Sequence, residues 1–316
     1  MSFFLPWFLL KALCKKLRVK VLPRRPLIHV SGEVEQDQDL DAALKAIAAY
    51  IRSRNCGSIC LMIGAGVSTA AGVPDFRSDR GVYANAEKYN LPYPEAIFDI
   101  NYFKSDPRPF YSLAHDLLPL DTTIRPTLTH SFISILHKKR LLSMCLTQNV
   151  DSLELRAGVP PSRLLEAHGT FRTARCAVCK KPYDGKRWKE DVREERIPKC
   201  DNVKCGGTVK PDVVLFGEQL PTSFFTKLPS LWATDLLLII GTSLIVQPFA
   251  SLAHQVQEEA CPRILINQDP APSRAVFGGR AADVSLLGNC DEVVRRLCRE
   301  LGWEEELDRM WRATQS

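Results

Sequence analysis

Nowhere in this 316-residue chain do apolar residues run on for the roughly 18 positions a bilayer-spanning helix needs, so a transmembrane helix is not expected. Internal repeats and low-complexity segments are missing too, which sets aside solenoids, propellers and disordered chains. The body of the chain also lacks an excess of either charge. The net charge of +6 is concentrated in residues 1–32, which hold seven basic side chains (Lys11, Lys15, Lys16, Arg18, Lys20, Arg24 and Arg25) and no acidic one. Beyond them 35 basic residues face 36 acidic ones, which gives no electrostatic reason to expect nucleic acid as a partner. What remains, 45% hydrophobic and 25% charged residues, is the composition of a globular chain long enough for about two domains.

Eleven cysteines do not read as a secreted disulfide scaffold, because the count is odd and the chain is several times too long. Four of them, Cys176, Cys179, Cys200 and Cys205, fall in two close pairs, and the others are scattered through apolar stretches. That distribution fits a reducing compartment and one metal site. Cys176-x2-Cys179 and Cys200-x4-Cys205 supply four thiolates from two turns, enough to close a tetrahedral zinc site with no position left for water. The expected metal is a single structural Zn2+ holding a ribbon module at about residues 172–210.

The N-terminal segment, residues 1–39, reads as a tail. Phe3–Leu10 is almost wholly apolar and precedes the basic residues, the reverse of a secretory signal. The acid-free, basic, amphipathic start fits a mitochondrial transit peptide, although Pro6 and the scarcity of Ser weaken that reading. An interfacial anchor built on Phe3, Phe4, Trp7 and Phe8, which would be the chain's one membrane contact, and a disordered tail are the alternatives. The primary expectation is the mitochondrial matrix, with cytoplasm or nucleus as the alternative.

Folded structure is expected from near Leu40, where a helical pattern runs to about Arg54. Short apolar runs recur at Ile59–Ile63, Met144–Thr147, Val213–Phe216, Leu236–Ile240, Ile264–Asn267 and Val284–Leu287, as buried parallel strands do. Phe132–Leu141, Pro248–Glu259 and Asp291–Leu301 have helical spacing between them. The alternation predicts an α/β fold, a Rossmann-like doubly wound parallel sheet with a smaller zinc-ribbon domain inserted, and ligands at the strand ends. The expected division is a catalytic domain over 40–302 and a helical tail over 303–316.

The first strand runs directly into Gly64-Ala65-Gly66-Val67-Ser68-Thr69-Ala70-Ala71-Gly72. Such glycines let backbone approach a pyrophosphate seated on the next helix N-terminus, but the third fingerprint glycine falls at Thr69. Asp75-Phe76-Arg77 follows, and an Arg beside an aromatic suits a phosphate or adenylate-type ligand. Gly64 to Arg77 resembles the cofactor loop of the sirtuins, the NAD-dependent protein deacylases. The resemblance continues through Thr147–Asp151, Glu166–Thr170, Lys210–Glu218, Gly241–Ser243 and Ile266–Asn267, over roughly residues 40–302. Leu91–Phe98 and Gly302-Trp303 look most like the mitochondrial sirtuin-3 branch of class I.

This resemblance implies an NAD-dependent protein lysine deacetylase acting on acetylated lysines in an extended peptide. The acetyl group would pass to ADP-ribose with release of nicotinamide. His168 would be the general base at a strand end, with an imidazole that titrates near the operating pH. Asn149 and Asp151 complete the implied catalytic set, and Gln148, Val150, Gly64, Ala65, Gly66, Ser68, Thr69, Asp75, Phe76, Arg77 and Tyr83 join the cofactor set. Asp151 would meet the nicotinamide carboxamide; Gly241, Thr242 and Ser243 the phosphates and adenosine side; Asn267, Gln268, Asp269 and Cys290 the adenosine end. Val214, Phe216, Gly217 and Glu218 would pair with the substrate backbone as an added strand, with Leu244–Val246 opposite.

Two departures stand out. Leu155 replaces a common Arg, which puts local pairing in doubt, and Gln268 replaces an Arg of the sirtuin-3 branch, which puts cofactor affinity in doubt. No Tyr-x-x-Arg pair follows the Arg77 loop, so a preference for succinyl-lysine is not expected. A mono-ADP-ribosyltransferase using the same pocket and a non-enzymatic scaffold are the rival readings. For the tail, residues 1–32 fused to a fluorescent protein are expected to enter mitochondria and be trimmed there. An uncleaved coat on membranes would support the anchor instead, and a diffuse signal the disordered tail.

Overall fold

The computed structural model describes residues 32–34, 37–76, 78, 81–117, 123–257, 260–270 and 277–316. The targeting and anchor readings of residues 1–31, and Arg77, lie outside the described residues.

Successive side chains of a strand point to opposite faces, so a continuous apolar run demands cover on both. Ile59, Leu61 and Ile63 bury into one core and Cys60 and Met62 into another. The strands in chain order are β1 (Gly32–Val34), β2 (Ile59–Ile63), β3 (Leu142–Thr147), β4 (Leu164–Glu166), β5 (Gly169–Cys176), β6 (Pro182–Tyr183), β7 (Val209–Val213), β8 (Leu236–Ile240), β9 (Arg263–Asn267) and β10 (Asp283–Leu287). Seven form one parallel sheet in the order β1-β10-β9-β8-β2-β3-β4. Helices Asp37–Arg52, Leu128–Lys138, Cys290–Leu301 and Glu304–Ala313 cover one face. Phe224, Leu228, Leu231, Phe249 and Leu252 cover the other. The expected doubly wound α/β sheet is present.

Several boundaries differ from expectation. The sheet takes in β1, upstream of Leu40, and the first helix starts at Asp37. The apolar run Val213–Phe216 is not a strand of the parallel sheet. β7 ends at Val213 and pairs antiparallel with β5 in a separate sheet ordered β6-β5-β7, where its edge position tolerates Pro211. Among its described residues, 248–257, the segment Pro248–Glu259 yields only a 3-10 turn over Ala250–His254, and Pro262 then favours the extended chain that enters β9. After the glycine loop, two 3-10 turns, Ala65–Val67 and Thr69–Ala71, stand where a longer helix is expected.

The small sheet packs with Tyr111, Trp188, Val192 and Phe103 into its own core. At the amino ends of β9 and β10, Arg263 and Asp283 form a buried bidentate pair with Nε–Oδ1 at 2.7 Å, and Arg263 lies 5.0 Å over the Phe277 ring.

The chain leaves β2 for β3 on one side and later returns to β8 on the other, so the crevice between β2 and β8 is the switch point where such sheets hold ligands. Backbone meets backbone there. Gly241 follows β8 at φ +64°, and a Cβ on it would lie 2.5 Å from the Val67 nitrogen. Gly66 N–H donates to the Gly241 carbonyl at 2.9 Å. Gly72 also has positive φ, +89°, but a Cβ placed there would meet nothing within 4 Å. Gly72→Ala is therefore expected to cost about 1 kcal/mol of unfolding free energy in urea, the left-handed penalty alone, and Gly241→Ala about 3 kcal/mol. Equal losses would mean that the close approach is not the constraint.

Candidate functional site

The ends of β2, β3 and β8 bring together residues far apart in the sequence. Asn149, just past β3, donates through Nδ2 to the Gly64 carbonyl at 3.2 Å and to Ser68 Oγ at 3.1 Å. Ser68 Oγ donates to Asp151 Oδ2 at 2.8 Å, and Asp151 Oδ1 accepts from Leu153 N at 2.9 Å. Gln148 Nε2 donates to Thr242 Oγ1 at 2.7 Å, tying the β3 end to the β8 end. Ser68, Asn149 and Thr242 are buried, so this chain of hydrogen bonds is a fixed wall.

Thr69 Oγ1 bonds back to Gly66 O at 3.1 Å, while Asp75 Oδ1 accepts from Ser78 Oγ at 2.7 Å and fixes the loop. Phe76, Tyr83 and Phe98 pack as an aromatic triad with centroids 5.5–6.3 Å apart. Along β9, Gly241 N donates to Ile266 O at 2.9 Å, and Asn267 Nδ2 donates to Asp269 O at 2.8 Å. Gln268 and Asp269 are exposed. Cys290 opens the Asn289-capped helix, its thiol pushed up to about 12 by burial, which makes it inert. Ser243 is half-buried after Thr242.

His168 sits between β4 and β5, its ring centroid 6.0 Å from that of Phe249. Its backbone carbonyl accepts from Val214 N at 2.8 Å. The unperturbed titration expected of it is corrected here. Burial lowers its pKa to about 4 against the opposing Gln148 carbonyl, so the ring is neutral at pH 7. Beside the wall, a cavity of ≈ 310 Å³ is lined by Val73, Val150, Asp151, Leu155, Phe171 and Lys189. Leu155 thus packs as an apolar side chain where a cation is expected.

Val214, Phe216, Gly217 and Glu218 form a loop rather than a strand. Phe216 N donates to Phe98 O at 2.7 Å and Ile100 N donates to Phe216 O at 3.0 Å. Leu215 N donates to Glu218 Oε2 at 3.0 Å, and Lys210 Nζ holds that same oxygen at 2.8 Å. The N–H groups of Val214, Leu215 and Phe216 are therefore engaged inside the protein. Phe216 and Ile245 expose 42% and 46% of their surface, an apolar pair on this rim.

Two residues of this region are not singled out by sequence pattern. His130, third in the helix capped by Thr127, and Glu154, three residues after Asp151, are both wholly buried. A charged residue at an inward position of a short helix is the one signal that could have found them.

The four cysteine sulfurs converge. Cys176 Sγ lies 3.6 Å from Cys205 Sγ, and Cys179 Sγ 3.5 Å from Cys200 Sγ, with all four within 4.8 Å of one another. Those separations exceed a disulfide and approach the roughly 3.8 Å edge of a tetrahedron with zinc–sulfur bonds of about 2.3 Å. Burial opposes ionisation of Cys176, but the Cys179 and Val178 amides outweigh it and bring the thiol down to about 7. The donor set fits zinc.

Comparison with known proteins gives one family. The Sir2 family matches residues 64–248. The NAD-dependent protein deacetylase hst2 of Schizosaccharomyces pombe is 46% identical over 86% of this chain and 80% of its own. The NAD-dependent protein deacetylase sirtuin-2 of Danio rerio is 47% identical, covering 87% and 76%. The NAD-dependent protein deacetylase sirtuin-3 of Mus musculus is also 47% identical, covering 84% and 78%. Equal identities to the last two do not single out the sirtuin-3 branch.

Cys176→Ser or Cys200→Ser is expected to remove about one zinc per chain and to lower the melting temperature. Cys298→Ser, in the core of the large sheet, should leave the metal content unchanged by atomic absorption. Equal zinc loss in both sets would mean that the ligands are others.

Proposed function

The chain belongs to the Sir2 family, and from that premise we infer that it is an NAD-dependent protein lysine deacetylase whose reaction runs at the β2–β8 crevice. The observation that carries the assignment of residues is the hydrogen-bonded Ser68–Asn149–Asp151 wall against Gly64, with the neutral ring of His168 nearby.

Gly64, Ala65, Gly66, Ser68 and Gly241–Ser243 would hold NAD, because backbone without side chains can approach a pyrophosphate closely. When bound, NAD supplies an electrophilic ribose carbon and nicotinamide as leaving group, and the acetyl group ends on ADP-ribose. The chain's own groups bind, orient and move protons. Asp151 accepts the carboxamide N–H, and Asn149, held through its side-chain amide nitrogen, orients the ribose. His168 accepts a ribose hydroxyl proton through its neutral ring. Gln268 and Asp269, exposed beyond β9, lie on the adenosine side with Asn267 and Cys290.

Acetyl-lysine enters as an extended peptide along Val214–Glu218, with Phe216 and Ile245 bracketing it. With the N–H groups of Val214, Leu215 and Phe216 and the carbonyls of Leu215 and Phe216 engaged, the Val214 carbonyl and the Gly217 groups would pair with it. Zinc on the four cysteines is structural, since four protein ligands leave no open position. Residues 1–32 address the protein, with the mitochondrial matrix as the proposed destination; the relatives found support no single compartment.

Mass spectrometry of products from NAD and an acetylated peptide tests the reading. Free peptide, nicotinamide and acetylated ADP-ribose should form in step; an ADP-ribosylated protein in their place would support the transferase. His168→Ala should lower kcat by at least about 100-fold while zinc stays bound. Only the neutral ring accepts a proton, so the acid limb of kcat/KM should lie near pH 4 rather than the unperturbed 6.5. A limb near 6.5, absent in His168→Ala, would contradict the burial argument.

A further inference from the structure

Behind Asp151 lie two buried residues, His130 and Glu154, that the proposed reaction does not use. One ligand-type atom each from His130, Asp151 and Glu154 lies within 4.8 Å of the others. Glu154 has no exposed surface, and neither of its carboxyl oxygens has a hydrogen-bond partner; His130 Nε2 is likewise without one. The two carboxyls are treated very differently. Asp151 receives donors from Ser68 Oγ and Leu153 N, whereas Glu154 has no partner at full hydrogen-bond geometry and is favoured as an anion only by the nearby Thr147 side chain and its own amide. The Thr127 amide at 3.2 Å can only donate, so His130 Nδ1 accepts and the ring proton sits on Nε2, next to the carboxyls. Thr127 Oγ1 lies 2.8 Å from the same ring nitrogen and 2.9 Å from Val67 O, and its single proton can serve either.

A buried carboxylate without donors is far more expensive than a buried carboxylic acid. Proton sharing between two close carboxyls also leaves one charge where two would repel. We propose that Glu154 is a positioning residue for the nicotinamide-facing carboxylate: a neutral acid, packed with His130 behind Asp151, that lets Asp151 carry the only negative charge of the cluster. This rests on the role given to Asp151 under the proposed function.

The surroundings agree. Asp151 on the adjoining turn and Glu166 on β4 face Glu154 as like charges, Cys145 and Thr147 approach from β3, and Asp291 acts on His130 from the far side. Burial, then Asp151, raises Glu154 to about 8, while burial lowers His130 to about 4. Burial raises Asp151 as well, but the Leu153 amide, the Ser68 hydroxyl and the Arg156 charge all favour its anion. At pH 7 both are neutral. As pH rises through about 8, Glu154 gains a second charge behind Asp151, and binding of the carboxamide should weaken.

The full-length protein, Glu154→Gln and Glu154→Ala decide it by two readouts. Infrared difference spectra should show a protonated-carboxyl band at pH 7 that titrates near 8 and is missing from Glu154→Gln. The parent's kcat/KM for NAD should fall above pH 8 through KM more than kcat. Glu154→Gln should keep the pH 7 value within about threefold and lack that alkaline limb, while Glu154→Ala loses about tenfold or more. Absence of the band in the parent, with a second metal per chain by elemental analysis, would overturn the proposal in favour of a bound cation. An unchanged alkaline limb in Glu154→Gln would also overturn it. The band needs no turnover, so it stands or falls separately from the deacetylase reading, and it decides the matter even if a variant fails to fold.

Discussion

The contact between Gly66 and Gly241 is the constraint on which the rest of the site depends. Two strand ends approach until only hydrogen atoms fit between their backbones, and a Cβ on either glycine would fall inside van der Waals distance of the other segment. That approach brings Thr242 within reach of Gln148, and Gly64 within reach of Asn149. The site is thus assembled by main chain, and its side chains decorate a geometry that parallel pairing of β2 with β3 and β8 has already set.

The electrostatic character follows from burial. His168, His130 and Glu154 are all shifted towards their neutral forms. Asp151 is pushed the same way by burial but keeps the donors Ser68 and Leu153, which favour its charged form. Elsewhere the chain keeps buried charge in matched pairs, Arg263 with Asp283 and Lys210 with Glu218. The second pair fixes the Leu215–Glu218 turn beside His168, linking the shape of this rim to the same strand ends.

The central strands were legible because an apolar run buried on both faces leaves little else for the chain to do: Ile59–Ile63 and Leu236–Ile240 match residue for residue. The edges were not. β1 and β4 are three residues each, too short to carry periodicity, and β5 alternates buried and exposed positions as a half-solvated antiparallel strand. Val213–Phe216 looked like core strand because its apolar side chains fill the small domain's interior and the rim, which composition cannot separate. The four cysteines were readable from spacing, and the strand-end polar residues from the family resemblance. Glu154 and His130 were not, since an isolated acid or imidazole in a helix reads as surface until the packing partners are known.

β1 gives the chain's amino end a mechanical meaning. Its three residues shield β10, which would otherwise present a row of unpaired amides and carbonyls along the sheet margin. A protease that cuts before Gly32 leaves a closed surface. One that cuts beyond Val34 opens a template for sheet extension, and the shortened chain becomes a seed for self-association while the β2–β8 crevice, on the far side of β9 and β8, is untouched.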